Sequence, residues 1–238
     1  MDRLNDTSDC HKDVLITLSR EEHYNMPICY GFGRCRIAQV KALYLESMAY
    51  KNLFIIAGCN GAGKTTASFT ILPEIIDCKE FINADEIAKG LSPFQPESVA
   101  IESGRIMIDR IEELVKGGKS FAFETTLATK GHFRRIQKGQ QVGYTRILIF
   151  FWLNNVELAK ERVKIRVKEG GHAIPDNVIE RRYYRGLKNL FSMYLDEVEA
   201  IFIFDNSYGK PHLIARKNEG ERMEVFEQQT FIQMKRSI

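Results

Sequence analysis

Residues 53–67 read LFIIAGCNGAGKTTA, and this stretch decides how the rest of the chain is interpreted. The apolar run 53–57 has the length and composition of a buried parallel strand. It breaks at Gly58, and the residues that follow fit the phosphate-loop pattern G-x-x-x-x-G-K-[ST], ending on Gly63, Lys64 and Thr65. The glycines let the backbone curl so that successive N–H groups point inward at phosphate oxygens, and a helix N-terminus closes the nest. Gly58 and the run Asn60, Gly61, Ala62, Gly63, Lys64, Thr65 and Thr66 are therefore the expected contacts to a nucleoside triphosphate. Lys64 brings positive charge to the β- and γ-phosphates, and the Thr65 hydroxyl is placed to ligate magnesium. Cys59 follows Gly58 inside the nest, where the N–H groups and Lys64 would favour a reactive thiolate.

Outside this stretch the composition is that of an ordinary soluble globular chain, with 44% hydrophobic and 27% charged residues over 238 positions. That length predicts one domain with an appendage. The 34 basic and 31 acidic residues leave a net charge of +3, too weak a field to argue for nucleic acid as a partner. The five cysteines are odd in number and contain no C-x-x-C pair, which reads as a reduced, cytoplasmic chain without a zinc site or disulfide framework. No apolar run reaches the ~18 residues of a membrane span. The first residues, MDRLNDTSDCHKD, are too polar for a secretory signal.

Residues 1–50 show neither a helical nor a strand period and are read as an N-terminal extension, poorly defined, ahead of a domain over 51–238. After the phosphate loop the pattern predicts a helix ending near residue 77, a strand over 80–84 and a long helix over 97–115. A third strand over 120–123 and a helix near 133–138 lead to the most apolar run, 146–153, which must be a central strand. Helices over 156–169 and 176–195 flank GGHAIP, and a strand at 200–204 precedes a short one at 212–215 and a helical tail from 221. Alternating strands and helices give an α/β fold with a mostly parallel sheet.

In such sheets ligands bind beyond the carboxyl ends of the strands, and Asp85, Glu124 and Asp205 all follow apolar strand segments there. A carboxylate at Asp85 can accept the proton of an attacking hydroxyl, hold magnesium through water, or cap a helix over 86–89. Glu124, in FAFETT, can face either substrate or magnesium. The segment 161–185 carries Arg162, Lys164, Arg166, Lys168, Arg181, Arg182 and Arg185. Arg162 and Arg166 are four apart and share one helical face. Cations on a helical pair with a Gly-Gly hinge suit a lid over the nucleotide.

The ordered set AGCNGAGKTT, INADEIAKGLSPF, AIESGR, SFAFETTL, ELAKERVKIRV, GGHAIP, RRYYRGLKNLF and FDNS resembles the zeta-toxin family of phosphate-loop kinases over about residues 52–216. The resemblance implies a P-loop NTPase fold of kinase type, three-layered, with a mostly parallel central sheet and a helical lid. Founding members phosphorylate UDP-N-acetylglucosamine on the sugar 3′-hydroxyl. By that resemblance Lys64 and Thr65 bind ATP and Mg2+, Asp85 is the general base and Arg162 a phosphate-clamping lid arginine. Glu124 and Thr125 would lie in the substrate cleft, with Glu102 and Arg105 lining it from the long helix. The activity implied is an ATP-dependent kinase with a small-molecule alcohol as acceptor, and the resemblance leaves room for an antitoxin protein as partner. Founding members carry a second catalytic arginine shortly before the lid proline; His172 stands near that place here, leaving Arg166, Arg182 and Arg185 as alternatives. A nucleic-acid-end kinase and a non-kinase ATP-binding module are the rival readings.

Overall fold

Strand β1, Lys51–Gly58, is buried along its whole length except at Lys51, because both faces of the sheet are covered. The structure, a computed structural model, describes residues 51–74, 78–171 and 173–238. The expected extension over 1–50 and His172 therefore lie outside the described residues. After the phosphate loop comes α1, Lys64–Glu74, then β2, Phe81–Ile82, and α2, Ala84–Leu91. A single 3₁₀ turn, Pro96–Val99, leads into α3, Ala100–Lys116. Next come β3, Phe121–Thr125, α4, Gly131–Gln141, and β4, Tyr144–Trp152. The helical pair is α5, Val156–Lys168, and α6, Asp176–Asn189, followed by a π-helical turn, Leu190–Tyr194. The chain finishes with β5, Ala200–Asp205, β6, His212–Lys217, β7, Glu224–Val225, and α7, Gln228–Arg236.

The sheet order is β2-β3-β1-β4-β5-β6-β7. The first five strands pair in parallel, and β6 and β7 add an antiparallel edge. On one face Leu53, Ile55, Phe121, Phe123, Leu148 and Ile201 pack against Met107 and Ile111 of α3, Ile136 of α4 and Met234 of α7. On the other, Phe54, Ile56, Ile149, Phe151 and Phe202 pack against Ala159 and Val163 of α5 and Ile179 and Tyr183 of α6. Alternation of side chains across the pleat explains why runs such as ILIFFW are apolar without a break: each face has its own helical layer. This is the three-layer α/β fold expected of a P-loop kinase.

Two sequence expectations change. The strand expected over 80–84 ends at Ile82, because Asn83 caps α2: its Oδ1 accepts the backbone N–H of Asp85 at 2.8 Å. Asp85 thus sits in the first turn of a helix and is not that helix's cap. The tail from 221 is not wholly helical either; β7 pairs with β6 before α7 begins. One buried cation lies far from the loop. Arg146 on β4 is 2% exposed and is held by Glu199, which accepts from its Nη2 at 2.7 Å and its backbone N–H at 2.6 Å.

Candidate active site

The register of β1 against β3 builds the site. Ile56 pairs with Glu124 and Ala57 with Thr125, so β3 releases a carboxylate beside the start of the phosphate loop. Gly61 and Gly63 of that loop have φ of +79° and +80°, where an L side chain is strained. Space also forbids one: a Cβ at Gly61 would lie 2.7 Å from the Ala159 carbonyl oxygen, and at Gly63 2.5 Å from Asn206 Nδ2. The loop is therefore clasped between α5 and the segment after β5.

Lys64 folds back over its own loop, donating from Nζ to the Cys59 carbonyl at 2.8 Å and pairing with Glu124 Oε1 at 3.3 Å. The other carboxylate oxygen, Glu124 Oε2, accepts from the Thr65 hydroxyl at 2.7 Å and from Asn83 Nδ2 at 2.8 Å. One carboxylate thus gathers the loop lysine, the loop threonine and the cap of α2. Among the described residues no group of three or more His, Cys, Asp and Glu assembles that would hold a metal unaided. Thr65 and Glu124 are nonetheless hard oxygen donors within hydrogen-bonding distance of each other. Magnesium suits such a set, since it takes one or two protein oxygens and completes its shell with water and phosphate.

Asp85 is half-buried at the same sheet edge, and its carboxylate is near enough to favour the charged form of Arg182. Burial acts on Arg182 in the opposite sense and more strongly, pulling the guanidinium below its ordinary range. Arg182 also donates from Nη1 to Asn60 Oδ1 at 3.2 Å, so α6 reaches the phosphate loop directly. Arg162 lies against Gly61 and donates from Nη2 to the Ser207 carbonyl at 3.0 Å. The Nε and Nη2 of Arg166, which shares its face, are enclosed without an acceptor among the described residues. Arg181 and Arg185 are exposed. Thr125 is half-buried, and its hydroxyl accepts the N–H of Leu127 at 3.1 Å, turning the chain after β3. Leu127 pays for that turn with φ of +55°. Glu102 and Arg105 are exposed on the first two turns of α3, and neither is hydrogen-bonded to the Lys64–Glu124 cluster. Asp205, the third strand-end carboxylate, is buried and turned to Ser207, whose N–H it accepts at 2.8 Å.

One expectation fails here. Cys59 is 6% exposed within the apolar layer under α5 and α6, and burial pushes its thiol up to about 11 against the opposing pull of Lys64. It is a core residue, not a reactive nucleophile. Lys64 is buried as well, 5% exposed and ion-paired. Three residues of the site escaped sequence reasoning or were left open by it. Asn83 stands two positions before Asp85 in INADE, Asn206 donates to the Ala62 carbonyl at 2.8 Å from FDNS, and Arg182 was one of several candidates. The asparagines carried a signal only in hindsight of tertiary contacts across 41 and 144 positions.

Residues 34–219 match the family model described as zeta toxin. A protein of Haemophilus influenzae, described only as uncharacterized, is 30% identical over 126 residues, covering 53% of this chain and 88% of its own. Among solved structures, the AvrRxo1-ORF1:AvrRxo1-ORF2 complex with sulphate ions superposes with a TM-score of 0.64 at 18% identity, over 83% of this chain and 69% of that one. The same complex has been solved with ATP. The PezAT chromosomal toxin–antitoxin system of Streptococcus pneumoniae gives a TM-score of 0.56 at 17% identity, over 85% of this chain and 95% of that one. At these identities the structural likeness speaks for the fold.

Proposed function

The chain belongs to the zeta-toxin family, and from that membership and the Lys64–Thr65–Glu124 cluster we propose that it transfers the γ-phosphoryl group of ATP to a hydroxyl of a small molecule. The observation that carries the reading is the convergence of loop lysine, loop threonine and a strand-end carboxylate within 3.3 Å. The phosphate loop holds the polyphosphate through its N–H groups and Lys64. Thr65, held by Glu124, would ligate magnesium, which would supply charge neutralisation to the transferring phosphate. The acceptor oxygen attacks phosphorus, its proton passes to the Asp85 carboxylate, and the bond from phosphorus to the bridging oxygen breaks to leave ADP. Arg162 stabilises the charge redistributed in that step from the base of α5.

Glu124, Thr125, Glu102 and Arg105 form the acceptor side in this reading, and a UDP-sugar such as UDP-N-acetylglucosamine is the first acceptor to test. A protein partner of antitoxin type belongs to the same proposal, supported by the toxin–antitoxin system named for the Streptococcus structure. Among the described residues no helix is long and apolar enough to cross a membrane.

Asp85→Asn tests the base. Asn is isosteric, and the cap of α2 belongs to Asn83, so folding is untouched. Transfer from γ-labelled ATP to the acceptor should fall ~10²–10⁴-fold, with the ATP dissociation constant within a few-fold of wild type. Loss of magnesium-dependent ATP binding would instead make Asp85 a metal-site carboxylate. Transfer at the wild-type rate would remove the base assignment.

A further inference from the structure

We infer that Arg182 is a further catalytic residue, a guanidinium delivered by α6 across the phosphate loop to the phosphoryl group in transit. The inference rests on the kinase reading and adds to it the identity of the second cation. The other cations of the helical pair differ: Arg166 is enclosed against Gly171 with no bond to the loop among the described residues, and Lys168, Arg181, Arg185 and Lys188 are exposed. Arg162 is turned to the Ser207 carbonyl, Lys160 is held by Glu157 and Glu180, and Lys164 pairs with Asp176. Among the described residues Arg182 alone of these cations is hydrogen-bonded to a side chain of the loop, that of Asn60.

Its surroundings are those of a group awaiting an anion. Arg182 is half-buried, and among the described residues no carboxylate lies within 4.0 Å of it. The neutral amide of Asn60 accepts one of its five N–H donors. A guanidinium withdrawn from water without an ion pair is unfavourable until an anion meets it. The charges near enough to act on it are Asp85 on α2 and the neighbouring Arg181. Asn60 belongs to the backbone arc that cradles the phosphates, and Asp85 stands on the acceptor side. A guanidinium bonded to the first and within electrostatic reach of the second lies beside the path the phosphoryl group takes. Releasing Asn60 Oδ1 frees the planar fork for phosphate oxygens, which accept two parallel N–H bonds from arginine, whereas lysine offers a point charge.

The test uses the full chain and MgADP as probe, with and without aluminium fluoride, which mimics the phosphoryl group in transit. The wild-type protein should bind MgADP at least tenfold more tightly when aluminium fluoride is present. Arg182→Gln should lose that tightening by tenfold or more while its affinity for MgADP alone stays within threefold. Arg182→Lys, which keeps the stem and the charge and so protects the fold, should lose most of it too, because the fork is gone. Arg185→Gln, on the exposed side of the same helix, should behave as wild type. Tightening preserved in Arg182→Gln or in Arg182→Lys overturns the assignment of Arg182 and leaves the kinase reading standing. Absence of tightening in the wild type overturns both.

Discussion

Lys64 and Glu124 are each other's environment. Both are largely buried, at 6% and 11% side-chain exposure, and the lysine has no other ion pair among the described residues. Removing one charge leaves the other stranded, and breaking a buried pair costs up to about 3–5 kcal/mol. Thr65 and Asn83 still hold the carboxylate, so the lower part of that range or less applies to Lys64→Ala. Thermal melts should show Lys64→Ala destabilised and the double variant Lys64→Ala with Glu124→Ala partly restored. A double variant less stable than either single would mean the two do not act as a pair. Cys59 gives a pH prediction with the opposite lesson. Its thiol is held up to about 11 by burial, so the thiolate appears only as pH rises toward that value. Alkylation by iodoacetamide should stay slow through neutral pH and become fast on denaturation. Rapid modification of the folded protein at pH 7, blocked by ATP, would place the thiol in the nest and not beneath it.

At the scale of elements, α2 decides where the acceptor side meets the loop. Its cap, Asn83, uses one amide for two tasks: Oδ1 accepts from the Asp85 N–H, and Nδ2 donates to Glu124. Asn83→Ala should cost about 1 kcal/mol for the cap alone and more for the lost donor. Asn83→Asp keeps the cap but sets a second carboxylate beside Glu124, so its melting temperature should remain below wild type. If Asn83→Asp matched wild type, the bond to Glu124 would be energetically silent. These elements also show what could be read in advance. The β1–loop–α1 unit was legible because strand, glycines, lysine and threonine are contiguous. The mostly parallel α/β sheet followed from alternation, and the strand-end carboxylates from the rule about carboxyl edges. Asn83 was not legible as a site residue, and Arg182 could not be singled out among the candidate arginines, because their contacts run to partners 41 and 122 positions away. The end of β2 was missed for a local reason: an asparagine cap outweighed one more residue of strand pairing.

For the whole molecule, five parallel strands bring β1, β3 and α2 to one edge, and α5 and α6 close against the loop from the other face. Direct packing of Ala159 on Gly61 makes the base of α5 a fixed wall of the site. The central claim is that this edge delivers a phosphoryl group to the hydroxyl of a small molecule. The most direct measurement incubates the full chain with γ-labelled ATP and magnesium in three arms: UDP-N-acetylglucosamine, a protein-free small-molecule extract, and RNA and DNA oligonucleotides with free 5′-hydroxyl ends. Such an edge yields a labelled, Lys64-dependent small-molecule product in the first or second arm, lost in Asp85→Asn. Label confined to the oligonucleotides, or released as inorganic phosphate at a rate no acceptor changes, would contradict that claim.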